Sequence, residues 1–318
     1  MTRLMRCFFI AVLALPVWAE NPAQGACRTV RIGVVDWTDL HVANGIAQEL
    51  LQRLGYTVEL SEQPATPEIF SRMDAAAIDV FLGYWTPAMS DIARPYFQQN
   101  KVLNLTGNLQ NARWTLAVPA YLYEQGLQSF ADIARFSEQL DQRIYGLEKG
   151  SSGNAAVLNM IRQDAFGLKD FTLIETSERL MLAQVKGRSR RHEAIVFLGW
   201  QPHPMNQHYE MRYLSGGDDY FGPDYGHATV NTTVRRGFSV SCPNLTRFFT
   251  NLTFTAPMEE TIMDQTTNGF VPVDRAVRIW MHAHPQQVSR WLDGITDIHG
   301  NPADAPALAA AMKVTLGQ

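Results

Sequence analysis

The chain has 318 residues, with 27 Lys and Arg against 31 Asp and Glu, a formal net charge of −4. That mild acidity excludes the basic stripe of a nucleic-acid binder; the single basic cluster, KGRSRRHE at 186–193, reads as a solvated helix end or loop. The length is enough for two domains of ordinary size, each with its own core.

Residues 1–19 read as a secretory signal. Arg3 and Arg6 form a basic start, FFIAVLALPVW is the apolar stretch, and the small-residue pattern predicts cleavage after Ala19. Losing the two arginines takes the net charge to −6. No later segment has the uninterrupted apolar length of a spanning helix, so the mature chain is expected to be exported and soluble, in the periplasm. Cys7 leaves with the signal. Cys27 and Cys242 remain, and in an oxidising compartment two cysteines most simply pair; two separate buried thiols are the alternative.

Strand and helix patterns then alternate. TVRIGVVDW (29–37) is a strand. The stretch 40–55 has helical spacing, with Leu40, Ala43, Ile46, Ala47, Leu50, Leu51 and Leu54 on one face and Gly55 as terminator. YTVELSE is strand-like, 66–77 a helix with proline in its first turn, and IDVFLG a strand. Further strands are expected at 114–119, 143–148, 194–200 and 227–238. Helices are expected from SSGNAAVLNMIRQDAFG, around SERLMLAQVKG, over PNLTRFFTNLTF, and as a hairpin over DRAVRIWMHAHPQQVSRWLDGI. This order gives an α/β fold with mostly parallel sheets. With no low-complexity linker, the chain is expected to cross between domains at short hinge strands.

Four tryptophans fall at strand ends or starts: Trp37 after RIGVVD, Trp85 after VFLGY, Trp200 after VFLG, and Trp114 opening WTLAV. Ligands of open α/β sheets bind beyond the carboxyl ends of strands. Gly83 and Gly199, just upstream of two of these rings, permit a sharp turn or close packing. Trp280 and Trp291 lie on helical patterns and read as core. Several aromatic faces with few polar groups suit a quaternary ammonium, which has no N–H to donate and is held by π faces and carboxylate charge. Three or four contacts of about 0.5–2 kcal/mol each are compatible with micromolar binding, roughly −8 kcal/mol. The carboxylate comes from DWTDL, as Asp36 or Asp39, the latter also fitting a helix N-cap. The loop EKGSSGNAAVLNM offers backbone N–H groups and small hydroxyls to a ligand oxygen.

Two other readings compete. Asp36, Asp39, Asp218 and Asp219 could serve as paired carboxylates of a secreted carbohydrate- or ester-acting hydrolase, but no GxSxG elbow and no phosphate-cradling GxxxxGK[ST] is present. His192, His203 and His208 raise a metal site, but the i, i+5 spacing of QPHPMNQH, broken by prolines, does not place two imidazoles on one helix face. A proline-stiffened loop supporting Trp200 is the simpler reading. Neither metal nor cofactor is expected.

The segments GVVDWTDL, IDVFLGYWTPAM, ARWTLAVP, IYGLEKGSSGN, MLAQV, IVFLGWQPHPMN, YLSGGDDYFGPDYGHATV and CPNL together resemble the choline-binding proteins of bacterial ABC importers, within the glycine betaine, proline-betaine and carnitine receptor family. The likeness covers about residues 27–318. It implies a periplasmic binding protein fold of type II kind, with two α/β lobes around a cleft: 20–111 with 215–318 as the first lobe and 112–214 as the second. It implies an aromatic box of Trp37, Trp85, Trp114 and Trp200, Asp39 as the carboxylate facing the cation, and a Cys27–Cys242 disulfide. Choline-binding members usually carry Tyr where this chain has Trp114, and an Asn for the choline hydroxyl at the position of Ser151. The expected ligand is thus choline, glycine betaine or carnitine, delivered to a membrane permease driven by a separate ATPase subunit. The protein itself is expected not to be an enzyme.

Overall fold

A computed structural model describes residues 27–313. The signal reading falls outside these residues. Within them the alternation read from the sequence is present. In the first half, β1 (Thr29–Val34), α1 (Thr38–Arg53), β2 (Thr57–Glu62), α2 (Thr66–Asp74), β3 (Val80–Thr86) and α3 (Ser90–Gln98) follow one another. The apolar face predicted for α1 is buried along its whole length, from Leu40 to Leu54. Gly55 takes a φ of +88°, where a Cβ would come within 2.7 Å of Ile298, so both its conformation and its space require glycine.

The second half contains β5 (Arg143–Tyr145), α4 (Ser152–Arg162), β6 (Thr172–Ile174), α5 (Glu178–Arg191), β7 (Phe197–Gln201) and β8 (Met211–Tyr213). Two strands connect the halves: β4 (Val102–Pro119) leads out and β9 (His227–Arg235) leads back. The C-terminal helices α6 (Pro243–Asn251), α7 (Ala256–Thr267), α8 (Val273–Ala283) and α9 (Pro285–Trp291) follow. Trp280 and Trp291 are buried there, as their helical spacing predicts.

The strands run in the order β2-β1-β3-β9-β4-β7-β5-β6, with β8 on β4. Both flanks are parallel: β1 with β2 and β3, and β5 with β6 and β7. The crossing strands pair antiparallel with their neighbours and with each other. Short hinge strands were expected, but β4 is 18 residues long. Its first part pairs with β9, from Val102 opposite Arg235 to Arg113 opposite His227, and its second part pairs with β7. The β4–β9 ladder is interrupted by register shifts between Asn104 and Thr106, Gly107 and Leu109, and Leu109 and Ala112. Such bulges bend and twist a ribbon without abolishing its pairing. The sequence pattern reported only the apolar end of β4, because Asn104, Asn108 and Asn111 interrupt the first part.

Cys27 and Cys242 are bonded, with their Cα atoms 5.6 Å apart, tying the start of β1 to the start of α6. The basic cluster lies in the second half of α5, where the Arg188 guanidinium covers the Tyr145 ring at 5.4 Å.

A buried carboxylate locks the first half to the returning strand. Asp79, 2% exposed, accepts from Arg31 Nε at 2.9 Å and Nη2 at 2.9 Å, and from Arg235 Nε at 2.6 Å. Burial alone would raise its carboxyl, but the bonds from Arg31 and Arg235 outweigh this and hold it below the usual range. A depressed carboxyl contributes stability above the unfolded value that is lost as pH falls through the folded one. Asp79→Asn is therefore expected to lower stability by about 1–3 kcal/mol at neutral pH, with the deficit shrinking in acid below the usual carboxylate range. Thermal melts of both proteins from neutral pH into that range check this.

Candidate functional site

A cavity lies between the halves, lined by Trp37, Asp39, Trp85, Met89, Trp114, Leu147, Ser151, Ser152 and Trp200. All six residues singled out in the sequence are among them: Trp37, Asp39, Trp85, Trp114, Ser151 and Trp200. The walls stand close together and leave about 20 Å³ of free space between them.

Backbone pairing positions the rings. Trp85 is in β3, Trp200 in β7, and Trp114 in the middle of β4, directly opposite Trp200. The Trp114 ring centre lies 6.3 Å from that of Trp85 and 5.5 Å from that of Trp200, at tilts of 50° and 54°. The three rings thus form a continuous aromatic wall across both halves. Gly83 and Gly199 serve packing rather than turning. A Cβ on Gly83 would lie 3.1 Å from Phe81 and 3.2 Å from Leu40, and one on Gly199 would lie 3.1 Å from both Ala117 and Tyr213. A peptide bond to a following proline is cis after each of the two motifs, at Thr86–Pro87 and Gln201–Pro202.

Trp37 closes the wall from the first half. It is the N-cap residue of α1, and its indole Nε1–H donates to Glu148 of the second half at 3.1 and 3.2 Å. Asp39 sits in the first turn of α1 and is 7% exposed. The N-cap position itself belongs to Trp37. Burial, and then the charge of Glu178, push the Asp39 carboxyl up to about 6, against backbone hydrogen bonds and the facing His203. Asp36 is on the exterior, 94% exposed, where it pairs with His41. Of the two DWTDL carboxylates, only Asp39 lines the cavity.

The floor is the N-terminus of α4. Ser151 caps it, accepting from Asn154 N at 3.3 Å, which leaves its hydroxyl proton for another acceptor. The loop was read as a source of polar contacts, but two of its residues do something else. Asn154 braces the end of β5: it accepts from Leu147 N at 2.9 Å and donates to the carbonyls of Leu147 at 2.8 Å and Glu148 at 3.1 Å. Gly153 makes room for a ring, since a Cβ there would stand 2.4 Å from Trp114 Cζ2. Trp114 Nε1 is buried without a hydrogen-bond partner among the described residues. An unpaired buried donor is costly, and a ligand oxygen would relieve it.

Sequence reading missed Met89 and Leu147 as lining residues and Glu148 and Glu178 as supports, whereas Ser152 belongs to the loop read as offering hydroxyls and His203 to the loop read as supporting Trp200. Met89 lay within the quoted YWTPAM and Glu148 within GLEKGSSGN, so closer reading of those motifs could have found them. Glu178 carried no signal, because SER at 177–179 reads as a helix cap followed by a first-turn acid. His203 is 2% exposed, packs on the Trp200 ring at 4.8 Å and bonds to Glu178 at 3.2 Å. It does not join a metal cluster; no group of three or more His, Cys, Asp or Glu suited to a metal occurs among the described residues.

This arrangement can hold a compact cation by its charge and its non-polar surface together. A carboxyl raised to about 6 is neutral in acid, and its charged form is the one a cation favours. Affinity for tetramethylammonium should therefore fall several-fold as pH drops from 7 to 5. Since the folded chain holds that proton more tightly than the unfolded chain, this group's contribution to unliganded stability is full below the usual carboxylate range and lost as pH rises through 6. Asp39→Asn should accordingly weaken cation binding about tenfold or more, while the unliganded protein melts at the same or a higher temperature. Calorimetry and melts read both. Gly153→Ala should displace the Trp114 ring and cost affinity by about tenfold, with little loss of α4, whose helical propensity alanine improves; calorimetry with circular dichroism checks this.

The model of the substrate binding domain of ABC-type glycine betaine transport systems matches residues 28–283. The solved structure of an ABC-transporter choline binding protein in complex with choline is 39% identical, with a TM-score of 0.87, over 91% of this chain and 99% of that one. An ABC-transporter choline binding protein in an unliganded semi-closed conformation, also 39% identical, gives a TM-score of 0.82 over 91% and 100%. A protein of Chromohalobacter salexigens called uncharacterized protein ORF1 is 38% identical over 152 residues, 48% of this chain and 94% of that one.

Proposed function

We propose that this chain, which belongs to the family of substrate-binding domains of ABC-type glycine betaine transport systems, takes choline as its preferred ligand. The observation that carries the choice is the charge of the lining. Asp39 is the one charged side chain on the cavity wall, and no Lys or Arg among the described residues joins it. A trimethylammonium head gains from four indole faces and Asp39. The carboxylate of glycine betaine or carnitine would enter the same small cavity with no cationic side chain to receive it. The hydroxyl of choline suits the other end: it can accept from the unpartnered Trp114 Nε1–H and exchange hydrogen bonds with Ser151 or Ser152.

The protein serves ABC import as its solute receptor, handing its ligand to permease subunits powered by a separate ATPase. Export by the N-terminal signal, with cleavage after Ala19, belongs to the same proposal. We assign the protein no reaction. Asp36, Asp218 and Asp219 are exposed and do not line the cavity, so they form no carboxylate pair with Asp39. For the lobes, we keep the outward crossing at 112 and move the return crossing from 214 to 226. Tyr220 and Phe221 support the change, because they pack on Phe166 and Phe130 of the second half, at 5.9 and 5.7 Å between ring centres. Gly226 supports it as well: with a φ of +71°, it lies where a Cβ would meet the Trp114 carbonyl at 2.0 Å.

Calorimetry with choline, glycine betaine and carnitine tests the ligand. Choline should bind in the micromolar range, roughly −8 kcal/mol, and at least about tenfold more tightly than either zwitterion. Preference for a zwitterion would reverse the assignment, and no heat with any of the three at tens of micromolar protein would overturn it.

A further inference from the structure

We infer that Glu178 is a latch across the cleft, capping from the second half the very helix that presents Asp39, and so setting how long a cation stays bound. The inference rests on the choline-site reading above. Helix α1 has no side-chain cap of its own, since its N-cap residue is Trp37, whose indole points to Glu148. The first N–H groups of a helix need acceptors from elsewhere. Thr38 N donates to Glu178 Oε2 at 3.0 Å, and the Thr38 hydroxyl donates to Glu178 Oε1. A carboxylate at a helix N-terminus is also favoured by the backbone dipoles. Here it comes from α5, on the far side of the cavity and 140 residues away.

Glu178 is held for this task. His203 Nδ1 accepts from Met205 N at 3.0 Å, which leaves the ring proton on Nε2, facing Glu178 Oε1 at 3.2 Å. Both side chains are almost fully buried, at 6% and 3% exposure. Ser177, one residue earlier, caps α5 itself through Leu180 N, so Glu178 is not needed there.

The latch has a charge condition. Glu178 opposes the charge of Asp39; Glu259 faces Asp39 from α7, with Glu260 beside it; Glu148 faces Glu178, with Asp36 beyond. His203 is the basic group facing Asp39. Closing the empty cleft therefore brings Glu148 and Glu178 of the second half toward Asp39 with no ligand cation between the halves to offset them. A cation in that space offsets the repulsion and lets Glu178 reach Thr38 at lower cost. A neutral molecule of choline's shape fills the cavity without offsetting anything. Discrimination against neutral ligands thus arises at closure as well as at contact.

Stopped-flow tryptophan fluorescence and calorimetry on the mature chain test this, using choline and its neutral carbon isostere 3,3-dimethylbutan-1-ol. Glu178→Ala should speed choline dissociation by about tenfold or more, with association within about threefold and the unliganded melting temperature nearly unchanged. Glu178→Gln, which keeps an acceptor for Thr38 N, should restore dissociation to within about threefold of the unaltered chain. It should also move the acid midpoint of choline affinity to lower pH, because one charge facing Asp39 is gone. The isostere should bind the unaltered chain far more weakly than choline, and Glu178→Gln should narrow that gap. An unchanged dissociation rate in Glu178→Ala, or a melting loss matching its affinity loss, would overturn the latch while leaving choline binding intact. Failure of the unaltered chain to bind choline would overturn both readings.

Discussion

A carboxylate shut away from water, with no Lys or Arg on the cavity wall beside it, is an unstable arrangement, and the fold is built to keep Asp39 in that condition. Burial and Glu178 together make its charge unwelcome in the empty protein. The penalty for ionising it is the free energy a cation can recover. The indoles around it add attraction for positive charge without supplying hydrogen-bond donors that would quench Asp39 in the ligand's absence. Trp37, the nearest indole in sequence, spends its N–H on Glu148 instead. Stability and recognition are therefore opposed at this residue, as is common where a site must be preorganised for something it does not yet hold.

The aromatic wall depends on strand register as much as on composition. Trp114 and Trp200 are direct cross-strand partners, so a shift of one residue between β4 and β7 would turn one ring out of the cavity. Trp85 reaches the same wall from β3, which is joined to β4 through β9. Gly153 then determines how far the Trp114 ring can lie back against α4. The Trp114 indole is a large ring, and the missing Cβ of Gly153 provides part of the space for it.

Much of this was legible in the sequence. The helix faces, the strand ends and the recurrence of VFLG before an aromatic gave the α/β alternation and four of the lining rings, and the resemblance singled out Asp39 from Asp36. What escaped had physical reasons. The polar first part of β4 pairs in the sheet interior through its backbone, and its asparagines conceal the strand pattern; Asn108, for example, is buried and bonds to Leu82 O and Thr232. The support of Asp39 is non-local: Glu178 reads as an ordinary helix-start acid, and only the fold brings it to Thr38. The role of Gly153 is a matter of empty space, which no spacing rule expresses.

The two crossing strands are bonded to one another along most of β9, with three interruptions confined to the β4 segment between Asn104 and Ala112. Two lobes joined by loose loops could roll, slide and twist independently, and a ligand would have to arrest all of those motions. A bulged but continuous ribbon resists sliding and shear, because either would break the ladder, and leaves bending as its soft direction. The search for the closed arrangement is then close to one-dimensional. Little orientational freedom remains to be lost on capture, so more of the contact energy between cation and rings is available as affinity.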